Sequence, residues 1–386
     1  MKLRGWREIR LRRMRLAIVI LAAGAAMAPA EVLADNARTC TAGTTLRLSA
    51  PEASQGSLLL IALKSTKPLA GVQGDWGGRT VPMWREGTDE AKRRGLLGVD
   101  LEKAPGEYEL KLTGEMASGE KISCSVKVAV RQGRFATERL QVGKEFVEPS
   151  PEQVKRANEE RQKLRDIFDS VTPERLWDGA FRIPLDGVTT GSNFGKRRIL
   201  NGNPGSPHGG VDLPGVTGTT VHAAQRGKVA LAEELFFSGN TVVLDHGLGI
   251  YTFYGHLSEI DVKVGDVLEA GTVLGKVGAT GRVTGPHLHW GLTVERARVN
   301  PMLLVKLLVN SPGSRQGKSP PSGEQDETIA LAETLEGDRL AGAEEGVGGK
   351  NAMSLQLFKI AELRGMLGFG SLDGGALEKY EGTVLE

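Results

Sequence analysis

All six histidines of this 386-residue chain, at positions 208, 222, 246, 256, 287 and 289, lie in one part of it. Imidazole holds transition metals and moves protons near neutral pH, so this clustering points to a metal or acid-base site. The most informative piece is Gly285-Pro286-His287-Leu288-His289-Trp290, at the start of an apolar run that reads as a strand. Side chains alternate across a strand, so His287 and His289 share a face and Leu288 takes the other. Upstream, Pro207-His208-Gly209-Gly210-Val211-Asp212 sets an imidazole and a carboxylate around two glycines, where a pliant backbone lets both reach one ion. A third segment, Tyr254-Gly255-His256-Leu257, ends another expected strand with a histidine.

Ligand arithmetic narrows the chemistry. A catalytic zinc takes three protein ligands and leaves a position for water, whereas a structural zinc is closed by four. If His208, Asp212 and His289 hold the metal, His287 and His256 remain as candidates for general base and for stabilising charge on a substrate carbonyl. The alternative is a closed structural site made from four of these residues. Such sites are usually rich in cysteine, and no cysteine lies in this part of the chain.

The surrounding residues resemble the lysostaphin/LytM-type zinc metallopeptidases, which hydrolyse peptide bonds in peptidoglycan. The resemblance begins at Ser192-Asn193-Phe194-Gly195-Lys196-Arg197 and takes in His208 to Asp212 and the Ala223 to Val229 strands. It continues through Asp245-His246-Gly247, Tyr254 to Leu257 and Val264-Gly265-Asp266, then Gly278-Ala279-Thr280-Gly281, Gly285 to His289 and Asn300-Pro301. It implies one zinc ion held by His208, Asp212 and His289, with His287 accepting a proton from the attacking water and His256 helping to hold the transition state. It also implies an antiparallel β-sandwich-like domain with a groove across one sheet. Trp290-Gly291 departs from the family's pattern of an aromatic followed by an acid, and His222 stands where another residue type is usual. The function implied is a zinc metalloendopeptidase that cuts peptide cross-links in bacterial peptidoglycan. The alternative is a relative that has lost catalysis and only binds the wall and activates amidases.

Other residues take plainer readings. His246, in a strand-end turn, supports backbone, and His222 sits on a rim. Arg197 and Arg198 read as a solvated charge pair on a loop, the alternative being that they steer an acidic wall peptide. Phe194, Tyr254 and Trp290 line the groove or pack in the core.

The elements that position these residues form an all-β protein: an N-terminal immunoglobulin-like sandwich and a C-terminal peptidase domain, joined by a helical linker. From 35 to 148, short apolar or alternating runs such as Thr45–Leu48, Ser57–Leu63, Glu107–Leu112 and Ile122–Val130 are separated by Gly, Pro and Asp. This region acts as spacer, docking module or lid. Residues 149–181 form the linker, opened by an N-cap at Ser150, Pro151 at the first helical position and Gln153 completing a capping box. Val154, Ala157, Leu164, Ile167 and Phe168 make its apolar stripe. The peptidase domain covers 182–310, with expected strands at Val221–Ala224, Gly227–Leu231, Thr241–Leu244, Tyr251–Tyr254, Val273–Val277 and Leu288–Val294. Residues 311–386 read as a disordered acidic tail, since beyond Pro312 there are 13 Asp/Glu against seven Lys/Arg.

Residues 1–34 hold seven Lys/Arg against two Asp/Glu and include the apolar run Leu16 to Ala28, which reads as a cleaved secretory signal. That run is too short for a membrane span, so no stable span is expected after cleavage. The rest carries 42 basic against 45 acidic residues, which makes nucleic acid an unsuitable partner. The expected partner is the peptide stems of peptidoglycan, in the periplasm or cell envelope. Cys40 and Cys124, the only cysteines, suit a disulfide in an oxidising compartment.

Overall fold

A computed structural model describes residues 37–309. The expected signal at 1–34 and the whole of the expected tail at 311–386 lie outside the described residues. All described residues belong to one compact unit.

The N-terminal part is a sandwich of two five-stranded sheets. One is centred on Leu58–Lys64, paired antiparallel with Thr45–Leu48 and Asp89–Gly98. The other is centred on the long hairpin Gly106–Met116 and Lys121–Arg131. Leu46, Ile61, Leu63, Trp76, Val81, Leu110, Leu112 and Val128 fill the space between the sheets. Cys40 and Cys124 form the expected disulfide, which closes a loop of 84 residues.

The run Leu58-Leu59-Leu60-Ile61 does not alternate in polarity, and its packing explains why. Leu59, Ile61 and Leu63 face the sandwich core, while Leu58, with Leu60 beside it, joins the core of the histidine-bearing part. A strand covered on both faces needs apolar side chains at odd and even positions alike. Between the two parts, Asp100 and Arg298 form a buried pair, 2.9 Å between Oδ1 and Nη2, with Arg298 Nε donating to the other carboxylate oxygen at 3.1 Å. Trp84 meets Trp177 edge-on at 5.2 Å.

The helix Pro151–Asp169 starts with the capping box expected from Ser150 and Gln153. Its buried stripe is Ala157, Leu164 and Phe168; the latter two pack with Leu231, Leu235, Val243, Tyr251 and Phe253 on the outer face of the next sheet. That sheet has nine strands. Its central run is Gly210–Pro214, His287–Val294, Ile250–Ile260, Gly239–Asp245 and Gly227–Leu235, every neighbouring pair antiparallel. Fully buried Trp290, Tyr254, Leu288 and Leu213 anchor the inner face, so Tyr254 and Trp290 belong to the core rather than the groove. No helix among the described residues is long and apolar enough to cross a membrane.

Candidate active site

Strand register assembles the site. Asp212 pairs with His289, which pairs on its other side with Gly255, so His289 stands centrally among three strands. His208 enters from the loop before Gly210–Pro214, held by its N–H donating to the Lys196 carbonyl at 3.0 Å and its carbonyl accepting from Gly195 N–H at 2.8 Å. Gly210 permits the close approach. A Cβ there would lie 2.7 Å from His289 Nε2 and 2.6 Å from the Trp290 carbonyl oxygen, closer than packing allows.

His208, Asp212 and His289 are brought together as the one potential metal-holding group among the described residues. His208 Nε2 lies 2.8 Å from His289 Nδ1 and 3.1 Å from Asp212 Oδ1, and the third edge, His289 Nδ1 to Asp212 Oδ1, is 3.5 Å. Metal bonds of about 2.0–2.1 Å in a tetrahedral site imply ligand-ligand edges of roughly 3.3 Å. Burial depresses both imidazoles, His289 to about 4 and His208 also below its ordinary value, so each presents a lone pair. Burial pushes the Asp212 carboxyl upward, but contact with His208 and His289 outweighs it and keeps the group ionised. Asp212 Oδ1 is buried and makes no hydrogen bond among the described residues. Two lone pairs and an anionic oxygen crowded this closely call for a cation between them.

Asn193 holds the other carboxylate oxygen, its Nδ2 donating to Asp212 Oδ2 at 2.8 Å. It occupies the left-handed region, with φ of 73°, which asparagine tolerates. The outward nitrogens His208 Nδ1 and His289 Nε2 have no hydrogen-bond partner among the described residues. Packing orients these rings instead, with His289 edge-on to Phe253 at 5.8 Å.

His287 and His256 flank the trio. The His287 Nε2 atom is 3.4 Å from Asp212 Oδ1, and the His256 and His287 ring centres are 5.0 Å apart. His256 adopts a left-handed backbone, φ 63°, which costs about 1–3 kcal/mol and is held by its N–H donating to the Ser238 carbonyl at 2.8 Å. Both rings are tethered alike: Nδ1 of His287 lies 2.9 Å from the Gly285 carbonyl and Nδ1 of His256 lies 2.8 Å from the Thr280 carbonyl. A carbonyl only accepts, so Nδ1 carries the proton in each ring and Nε2 is left as the basic nitrogen. Burial holds His256 well below its ordinary value, hence neutral.

The remaining histidines stand apart. His246 is fully buried, its Nδ1 2.8 Å from the Arg226 carbonyl and its Nε2 2.7 Å from Thr252 Oγ1, in the supporting role expected. His222 lies near the surface, against Asp186 and the Gly271 carbonyl. Arg198 departs from the expectation of a solvated loop charge. It sits in the strand Arg197–Leu200, its side chain is 12% exposed, and Nη2 is 3.9 Å from Asp212 Oδ2. The cause is the strand Thr137–Leu140 before the linker helix, which pairs in parallel with Arg197–Leu200 and covers it. A cavity of about 70 Å³ opens beside the trio, with Asn193, Arg198, Asp212, His256, Arg282 and His287 in its lining. Glu138, Leu140 and Val142 of the covering segment form its other wall. Neither Asn193 nor Arg282 was assigned a role from the sequence; a signal for Asn193 existed in its place within the Ser192 to Arg197 motif.

An antiparallel sheet carrying a His-Asp-His trio with two tethered imidazoles beside it defines a metallopeptidase-type site. Residues 206–301, about a quarter of the chain, match the sequence model of Peptidase family M23. The peptidoglycan DD-endopeptidase ShyA of Vibrio cholerae is 41% identical over 123 residues, 31% of this chain and 29% of that protein. The chain thus matches under a third of the length of this curated relative. A crystal structure assigned to peptidase M23 from Pseudomonas aeruginosa is 28% identical, with a TM-score of 0.51, and the match covers 66% of this chain and 95% of that one. The catalytic domain of the prophage-encoded M23 protein EnpA from Enterococcus faecalis is 32% identical, covering 32% of this chain and 94% of that one, with a TM-score of 0.28.

Proposed function

We propose that this protein is an exported zinc metalloendopeptidase that hydrolyses peptide cross-links in bacterial peptidoglycan, working in the periplasm or cell envelope. The observation that carries the reading is the convergence of His208 Nε2, Asp212 Oδ1 and His289 Nδ1, with the basic nitrogens of two further histidines alongside. The name of the Vibrio cholerae relative supports the substrate class.

His208, Asp212 and His289 would hold one zinc ion, which when bound polarises the scissile carbonyl and makes water acidic enough to lose a proton near neutral pH. His287, tethered through Nδ1 to the Gly285 carbonyl, takes that proton on Nε2 and later passes it to the departing amine. His256 has the same tether and is held neutral, so its Nε2 is an acceptor that can orient the attacking water. The complete ligand trio and both additional histidines speak against a chain that only activates amidases.

The test uses purified mature protein, element analysis and mass spectrometry of cross-linked muropeptide dimers. The expected result is one zinc per chain, release of monomers, loss of activity on chelation and recovery with zinc. A metal-loaded protein that leaves every cross-link type intact while stimulating an amidase would overturn the reading.

A further inference from the structure

We infer that Thr280 is a positioning residue: its side chain pins the loop 278–286 to the strand that carries His256, so that the Thr280 carbonyl keeps the His256 proton on Nδ1. The inference deepens the endopeptidase reading and rests on it for the use made of His256. The loop joins Val273–Val277 to His287–Val294 and carries both carbonyls that tether the non-ligand histidines, Thr280 for His256 and Gly285 for His287. The two tethers differ in origin. Gly285 lies two residues before His287, so that bond travels with its own short segment. Thr280 is 24 residues from His256 in sequence and reaches it only through the seating of the loop.

That seating is specific. Thr280 Oγ1 donates to the Leu257 carbonyl at 2.8 Å and accepts from Asn240 N–H at 2.9 Å, bridging two neighbouring strands. Its hydroxyl and its carbonyl thus grip the consecutive residues Leu257 and His256. Glycines permit the contact. A Cβ on Gly239 would lie 2.2 Å from Thr280 Oγ1, and one on Gly281 would lie 2.4 Å from both the Gly239 nitrogen and the Phe237 carbonyl oxygen, closer than packing allows. Arg282 secures the loop further on, its N–H donating to the Phe237 carbonyl at 2.7 Å and its guanidinium 4.6 Å from the centre of the Phe237 ring. The backbone of His256 is fixed separately, through the Ser238 carbonyl. A neutral imidazole has one N–H and one lone pair, and the partner of one nitrogen decides the state of the other. With Nδ1 donating to Thr280, Nε2 is the acceptor of a ring that lines the cavity at the trio. Once the loop is released, the proton is free to move to Nε2, which then presents a donor where an acceptor is needed. The Thr280 hydroxyl therefore governs a nitrogen it never touches.

The experiment uses the full mature protein. Nitrogen NMR of the histidine rings in the metal-free protein at neutral pH reports which nitrogen carries the proton, and cleavage of a cross-linked muropeptide dimer by the zinc-loaded protein gives kcat and KM. Wild-type His256 should carry its proton on Nδ1. Thr280→Val, which keeps the shape and removes the hydroxyl, should populate the Nε2–H form of His256 and lower kcat about tenfold, with KM and zinc content unchanged. His287 should keep its tautomer, and Thr280→Ser should restore both readouts. Thr280→Ala takes the same part if the valine variant unfolds. An Nε2–H form of His256 in the wild type overturns the inference without any variant, and so does a moved tautomer with unchanged kcat. An unmoved tautomer in a folded Thr280→Val that still cleaves the dimer overturns the inference and leaves the endopeptidase reading standing. A tautomer that moves in Thr280→Val and returns in Thr280→Ser, in a protein that cleaves no dimer, supports the positioning role and overturns the endopeptidase reading.

Discussion

Asp212 and His289 face each other across paired antiparallel strands, with Oδ1 3.5 Å from Nδ1. The metal-binding geometry is therefore written into sheet register, since a slip of one residue would present Leu213 or Leu288 in their place. A site on neighbouring strands is held more firmly than one on loops.

This arrangement separates the roles of His289 and His287. His289→Ala should lose bound metal and activity together. His287→Ala should retain metal but lose about 10²–10⁴-fold in kcat, the usual contribution of a positioned acid-base group. Element analysis beside a dimer-cleavage assay checks both, and comparable metal loss in the two variants would contradict the division.

Asn193 has no place among the ligands, yet it fixes the Asp212 carboxylate through a 2.8 Å hydrogen bond. Asn193→Ala should weaken metal binding by about 10–100-fold while leaving the unfolding midpoint of the metal-free protein nearly unchanged. Competition with a chromophoric chelator measures the first quantity. Unaltered affinity would mean that Arg198 and the backbone suffice to orient the carboxylate.

His246 makes stability depend on pH. Burial lowers it to about 4, so between its unfolded value near 6.5 and about 4 the unfolded chain binds more protons than the folded one. Its contribution is intact above about 6.5 and is lost as pH falls towards 4, by up to roughly 3 kcal/mol. His289 is shifted in the same direction. In urea unfolding of metal-free protein, His246→Asn should show a shallower decline over this window than the parent chain. An identical slope would exclude His246 as a contributor.

The Asp100–Arg298 pair is buried on both sides, and Arg298 N–H also donates to Asp100 Oδ2 at 2.9 Å. Burial raises the Asp100 carboxyl, but Arg298 outweighs it and holds the group below its ordinary range. Asp100→Ala leaves a buried guanidinium with only Glu102 nearby and should cost about 3–5 kcal/mol in chemical denaturation. A loss below about 1 kcal/mol would show that solvent reaches the pair.

Much of this architecture was legible because local rules agreed. His287 and His289 sit on one strand face because strands alternate, and Ser150, Pro151 and Gln153 start a helix as capping chemistry requires. The strands expected at Thr45–Leu48 and Val273–Val277 occur within those limits. What escaped depends on distant chain. Arg198 reads as a surface charge until Thr137–Leu140 pairs beside it, and Arg282 gains significance only where its segment crosses Phe237. The apolar run at Leu58 does not announce that it serves two cores, because nothing local distinguishes a doubly covered strand from a singly covered one.

That shared strand bears on how the chain can be rearranged. Excising the histidine-bearing half as a portable cassette would strip Leu58 and Leu96 from its interior and leave Arg298 without Asp100, so the severed piece would meet water with a greasy scar and a stranded cation. Chimeras that keep both halves from one parent should remain soluble where mixed pairings precipitate.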